Sequence, residues 1–230
     1  MNTLFALPTA QPAHPAQYTE ALYPTMARML TGCTRVLDPF GGKGGVFTLE
    51  RWQPSIAFHA VEIEPEWAAC HPKTEVGNAL HLRWADGYFD GVCTSPTYGN
   101  RMADSLRNPE NWAREYNYIT YAQKINRPLH EDNSGGLQWG DKYRTFHLAA
   151  WTEARRVLQP GGVFILNIKD HIRNGQRQPV TAWHVEALQS LGFIEREHIH
   201  IACPGMRWGA NADKRVEYES VIKFILEMKQ

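Results

Sequence analysis

Apolar residues recur at helical spacing between Tyr18 and Leu30, where Leu22, Met26 and Leu30 share one face and Pro24 must sit in the first turn. A short apolar run, "TRVLD", then breaks into the glycines of "PFGGKGG". "SIAFHAVEIEPEW" predicts a second strand followed by a helix start, and "YFDGVCTSP" predicts a further strand. "DKYRTFHLAAWTEARRVLQPGG" has helical periodicity and is expected to stop at Pro-Gly-Gly, with "VFILNI" after it as a buried strand. "VTAWHVEALQSLGF" predicts another helix. "REHIHIAC" and "RVEYESVIKFIL" predict two strands joined by the glycine-containing loop 204–214. Strands alternating with helices imply an α/β fold, with a mostly parallel central sheet, helices on both faces and a ligand at the carboxyl ends of the strands. The closing pair places one antiparallel strand near the C-terminus.

The pattern lapses between Tyr98 and Asp141 into polar and aromatic sequence. A structureless loop of that length is unusual inside a compact domain, so 99–141 is expected to be an insertion that contacts substrate or covers the sheet edge. The 230 residues suit a single domain, 1–230. No run of about twenty apolar residues occurs, and the first residues lack the basic start and apolar core of a signal peptide, so a cytoplasmic protein is expected. Four cysteines, Cys33, Cys70, Cys93 and Cys203, are scattered without a close pair, which argues against a zinc site or a disulfide framework. Lysine plus arginine number 24, as do aspartate plus glutamate, so any attraction to nucleic acid must be local.

Chemistry enters at "VLDPFGGKGG". An apolar strand delivers Asp38 to its carboxyl end, and Gly41, Gly42, Gly44 and Gly45 let a ligand approach the backbone. A phosphate-cradling P-loop needs Ser or Thr after its Gly-Lys, whereas Gly44 follows Lys43; the dinucleotide fingerprint fails because its last glycine would fall on Phe47. An acid directly before the glycines repels pyrophosphate and suits an amino-bearing ligand. Glu62 ends the second strand at about the interval used by acids that hold a ribose diol. An adenosine whose other end is an amino acid satisfies both carboxylates. Taken alone, Glu62 is equally an exposed strand-end acid.

These segments resemble the class I S-adenosylmethionine-dependent DNA amino-methyltransferases, which act on cytosine N4 or adenine N6. "DPFGGKGG" is similar to that family's first motif, "VEIEP" to the second, "GNALHL" to the third, and "TSPTY" to the catalytic motif S/D/N-P-P-Y/F. "HPAQYTEALY" resembles the segment that closes over the methionine end of the cofactor. The resemblance implies a Rossmann-like methyltransferase fold with S-adenosyl-L-methionine as cofactor. It implies that Asp38 faces the methionine amino group, that Pro39, Phe40, Gly41 and Gly44 shape the pocket, and that Glu62 holds the ribose hydroxyls. It also places Asn78 and Ala79 at the adenine and Pro15 in the methionine pocket, although Asp is more usual at the position of Asn78.

The corner "SPTY" raises its own chemistry. Proline fixes its φ and restrains the residue before it, which serves a ligand site or a plain strand-ending turn. Methylating an exocyclic amine requires its lone pair to line up with the methyl–sulfonium bond. Ser95 supplies a side-chain oxygen and Pro96 a backbone carbonyl to accept the amine hydrogens, while Tyr98 stacks on the extruded base. Ser rather than Asp at the first position resembles the cytosine-N4 group more than the adenine-N6 group. Thr97 replaces a second proline, which suggests a looser loop, and Lys43 replaces a small or polar residue. Thr97 and Arg101 are the candidate substrate contacts. The expected partner is duplex DNA with its target base flipped. No separate recognition domain is evident, so recognition falls to the insertion and the last loops, to a homodimer, or to a substrate smaller than duplex DNA. Further basic candidates are Lys169, Arg173, Arg177, Arg207, Lys214 and Arg215, and His171 is read as a hydrogen-bonded loop histidine. RNA or nucleotide methylation, or an inactive binding subunit, are the alternatives.

Overall fold

The structure, a computed structural model, describes residues 18–99, 125, 127–203 and 214–228 of the chain. A 3-10 turn, Glu20–Leu22, leads into helix α1, Tyr23–Met29, with Pro24 at its start. The single predicted helix is thus divided. Proline lacks an N–H and is tolerated only in the first helical turn, so the α-helix begins beside it.

Strands β1 (Arg35–Asp38), β2 (Ala57–Glu62), β3 (Thr74–Val76), β4 (Phe89–Thr94), β5 (Leu158–Ile168), β8 (Phe193–Ala202) and β9 (Tyr218–Leu226) form one seven-stranded sheet. Its order is β3-β2-β1-β4-β5-β9-β8. Neighbours from β3 to β5 pair in parallel, and β9 runs antiparallel to both β5 and β8. This is the α/β arrangement expected from the chain's periodicity, with helices on the two faces. Helix α2 (Pro65–Ala68) follows β2, α3 (Asp141–Val157) precedes β5, and α4 (Val180–Ser190) precedes β8.

Side chains alternate across the sheet, and neighbouring residues feed opposite cores. Leu37, Val92, Phe164 and Leu166 pack with Tyr143 and Trp151 of α3 and Leu188 of α4. Val36, Cys93, Ile165 and Val221 pack with Met26 and Met29 of α1 and with Val46 and Leu49.

Two boundaries differ from expectation. Helix α3 ends at Val157, before Pro160, because Leu158 already pairs with Phe89 and the ladder then shifts register until Val163 meets Gly91. Ladder pairing overrides a helix pattern that local sequence would carry further. An unforeseen hairpin, β6 (His171–Arg173) with β7 (Gln176–Gln178), follows β5. Its turn residues Asn174 and Gly175 have φ of 52° and 73°, the double positive φ of a primed hairpin turn.

Candidate active site

The chain runs from β1 outward to β2 and β3, then returns to β4 on the other side of β1. The loops leaving β1 and β4 therefore diverge and open a crevice at the strands' carboxyl ends. Asp38, Glu62 and Thr94 are the last residues of β1, β2 and β4. Asp38 is buried. Its Oδ1 accepts from Thr94 Oγ1 at 2.7 Å and from the Phe40 N–H at 3.0 Å, and Oδ2 accepts from the Tyr18 hydroxyl at 3.3 Å. Burial outweighs these bonds and pushes the carboxyl up to about 6.

Glu62 is also buried, with Oε2 accepting from the Gly42 N–H and Oε1 from the Glu64 N–H, each at 2.9 Å. Burial again dominates, raising its carboxyl to about 7. The glycine loop allows this close arrangement. A Cβ on Gly41 would lie 2.8 Å from that of Ala60, and Gly44 has φ +84° with its position filled by His71.

A cleft lies over these ends. Pro39, Phe40, Gly42, Glu62 and Ile63 form one wall, and Gly77 and Ala79 another. Ser95, Pro96 and Thr97 close it on the β4 side, with Trp67 and Phe146 adding apolar surface. The structure thus brings the predicted Pro39, Phe40, Glu62, Ala79, Ser95, Pro96 and Thr97 to one cavity. Asp38, Gly41 and Gly44 shape the loop beneath it, and Lys43 is not among the lining residues.

The last part of the insertion completes the cavity through Asp132, Asn133 and Ser134. It is tied down by Glu64, a fully buried acid whose Oε1 accepts from the His130 N–H at 2.8 Å and Asn133 Nδ2 at 2.7 Å. Arg127 pairs with Glu64 at 2.6 Å and with Glu66 at 2.5 Å. Asn78 Nδ2 donates to Asp132 Oδ2 at 2.9 Å, and its Oδ1 accepts the Leu80 N–H. The usual acid is missing at position 78, and Asp132 brings a carboxylate there from 54 residues away.

The Ser-Pro-Thr-Tyr corner is braced from three sides. Thr97 Oγ1 donates to Ser134 Oγ at 2.9 Å, and the Thr97 carbonyl accepts from the Tyr143 hydroxyl at 2.6 Å. These bonds restrain the position where the second proline is absent. Ser95 Oγ lies 3.1 Å from the Tyr98 hydroxyl and 3.2 Å from Asn167 Nδ2. Glu219 joins this group, accepting from Asn167 at 2.8 Å and from Tyr98 at 3.3 Å. Sequence reasoning missed Asn167, Glu219, Asp132 and Glu64, since each acts through partners more than 50 residues away.

Several basic candidates are engaged internally. Arg177 pairs with Asp170 at 2.7 Å, Arg173 donates to Gln138, and Lys169 donates to the Cys203 carbonyl. Lys214 reaches the Gly175 carbonyl at the hairpin tip. His171 differs from the expected hydrogen-bonded histidine: both ring nitrogens are buried without a partner among the described residues. Pro15, Arg101 and Arg207 lie outside the described residues. Among the described residues, no helix is long and apolar enough to cross a membrane.

The sequence model of one family, described as DNA methylase of the N6/N4 type, matches residues 89–229, more than half of the chain. The chain belongs to the N6/N4 DNA methylase family. Its methyl donor is accordingly S-adenosylmethionine, and the site fits that cofactor: two buried acids at adjacent strand ends, and apolar walls at Ile63 and Ala79. The matched interval carries the Ser-Pro-Thr-Tyr corner, Asn167 and Glu219, whereas the glycine loop precedes it.

Solved structures agree on the fold. A methyltransferase from Methanosarcina mazei superposes with TM-score 0.56 at 14% identity, covering 90% of this chain and 99% of that one. A sarcosine dimethylglycine methyltransferase from Galdieria sulphuraria gives 0.52 at 12%, covering 91% and 84%. An N-methyltransferase from Bradyrhizobium japonicum, solved with S-adenosylhomocysteine, gives 0.50 at 14%, covering 90% and 86%. No curated protein shows significant similarity to the chain.

Proposed function

We propose that this methyltransferase modifies an exocyclic amine of a DNA base, cytosine N4 in preference to adenine N6. The observation that carries the reading is the shared cavity: Ser95 and Pro96 face the same space as Glu62 and Ala79. S-adenosylmethionine supplies an electrophilic methyl group when bound. Asp38 holds its amino group, directly or through water, Glu62 its ribose hydroxyls, and Ile63 and Ala79 flank its adenine. Ser95 Oγ and the Pro96 carbonyl accept the two amine hydrogens and orient the lone pair, and Tyr98 gives the flipped base a stacking face. Serine at the first position of the corner supports cytosine. Arg101 and Pro15 keep their proposed contacts with DNA and with the methionine end, and a homodimer would enlarge the recognition surface. The chain's neutral charge favours RNA or a nucleotide as the second reading.

The test is incubation with labelled S-adenosylmethionine and unmethylated duplex DNA, followed by digestion to nucleosides and mass spectrometry. N4-methylcytosine is expected. Ser95→Ala is expected to slow its formation about tenfold, the worth of one neutral hydrogen bond at the upper end of its range. Label only in RNA or free nucleotides would move the assignment to the second reading.

The raised acids also predict a pH dependence of binding. An ammonium group needs Asp38 ionised, and with its carboxyl at about 6 most of the population is protonated at pH 5. Affinity for S-adenosylhomocysteine, titrated calorimetrically, should therefore fall at least about tenfold between pH 8 and pH 5, with protonation of Glu62 adding to the loss. An affinity level across that range would remove Asp38 from the amino-group role.

A further inference from the structure

The corner begins with Ser95, which has no carboxylate, yet the methylated nitrogen must shed a proton. The structure places one nearby. Glu219 stands on β9, the antiparallel strand beside β5, and reaches the corner across the strand ends. All its described donors are neutral: Asn167 Nδ2 at 2.8 Å, the Tyr98 hydroxyl at 3.3 Å and the Cys203 thiol.

The hydrogen bonds also run in one direction. Tyr98 gives its proton to Glu219, so the Ser95–Tyr98 contact of 3.1 Å is left with Ser95 as donor. Ser95 Oγ then faces a substrate as an acceptor. Asn167, itself buried, lies within reach of all three groups, its two Nδ2 hydrogens shared among Ser95 Oγ at 3.2 Å, the Tyr98 oxygen at 3.2 Å and Glu219 at 2.8 Å. Its Oδ1 is buried without a partner among the described residues, as for a group whose second bond comes from a bound molecule.

We propose that Glu219 is the terminal proton acceptor of the reaction, reached from the substrate amine through Ser95 and Tyr98. This rests on the exocyclic-amine reading given above. The methylated nitrogen carries one surplus proton and one positive charge. That proton passes to Ser95 Oγ as the Ser95 hydroxyl proton passes to Tyr98 and the Tyr98 proton to Glu219 Oε2. The products are a neutral methylamine and a protonated Glu219, with both hydroxyls restored, and water later takes the proton. Serine thus serves at the head of the corner because β9 brings in the carboxylate. The groups facing Glu219 are Tyr98 from the corner, Asn167 from β5 and Cys203 after β8, with Lys169 bound to the Cys203 carbonyl.

Glu219→Gln and Glu219→Asp test the proposal, measured at saturating cofactor and DNA with the methylated nucleoside quantified. The Gln variant is expected to bind S-adenosylhomocysteine and DNA as the native protein does, while kcat falls at least about tenfold. Its residual rate should rise with pH between 7 and 9, as hydroxide replaces the lost acceptor, where the native rate is level. The Asp variant should recover part of the rate. A Gln variant within twofold of native, or one slowed with an unchanged pH profile, overturns the proposal and leaves the amine reading standing. If the native protein binds S-adenosylhomocysteine but methylates no base amine, the amine reading and the Glu219 role fall together.

Discussion

Replacing Glu62 with alanine is expected to raise the dissociation constant for S-adenosylhomocysteine by about 30-fold to 1,000-fold, the usual cost of truncating one partner of a buried, charge-assisted contact. The geometry explains why the effect should be large. Both carboxylate oxygens are fixed by backbone N–H groups at 2.9 Å, so the acid is held in place before a ligand arrives. The same burial works against the ligand-free protein. Glu62 titrates at about 7 in the fold against 4.5 ordinarily. Its contribution to stability is complete below about pH 4.5 and is lost as the pH rises through about 7. A ligand that donates hydrogen bonds to the ionised form reverses that loss, so binding near pH 7 should release protons. Calorimetry in buffers of different ionisation enthalpy measures both quantities. An affinity changed by less than threefold in Glu62→Ala would remove Glu62 from the cofactor site.

The value of sequence in locating this site depended on range. Asp38 and Glu62 were legible because each ends an apolar run, and a parallel sheet brings the ends of such runs together. The alternation that sends Val36 and Leu37 to opposite cores was legible for the same reason. Asn174-Gly175 carries the Asn-Gly signal of a two-residue hairpin turn. Glu64, by contrast, reads as one more acid in "VEIEP", and its partners Arg127, His130 and Asn133 all lie more than 60 residues later. Asp132 standing beside Asn78 and Glu219 beside Tyr98 belong to the same class. Strand periodicity reports which face a residue occupies, whereas the identity of a cross-chain partner depends on how insertions and distant strands close over the sheet.

The largest expected loss of stability lies in a hydrogen-bonded column behind the corner. Tyr143, Trp151 and His184 are all fully buried. Trp151 Nε1 can only donate, so His184 Nδ1, 3.0 Å away, must be the unprotonated nitrogen of the ring. The ring proton then sits on Nε2 and is given to the Tyr143 oxygen at 2.9 Å, and Tyr143 gives its own to the Thr97 carbonyl. Burial pushes His184 well below its ordinary range, so the ring stays neutral and the direction of the column is fixed. His184→Leu keeps an apolar side chain of similar size but strands the Trp151 N–H and removes a donor to Tyr143. It should lower stability by about 2–4 kcal/mol in urea unfolding, from an unpaired buried donor together with imperfect repacking. His184→Gln offers an acceptor and a donor on one side chain and should lose less. Because Tyr143 can still reach the Thr97 carbonyl, the folded Leu variant should retain cofactor binding while its unfolding midpoint falls. A loss below about 1 kcal/mol, or equal losses in the Leu and Gln variants, would show that the column is ordinary packing rather than the brace that holds the Ser-Pro-Thr-Tyr corner in place.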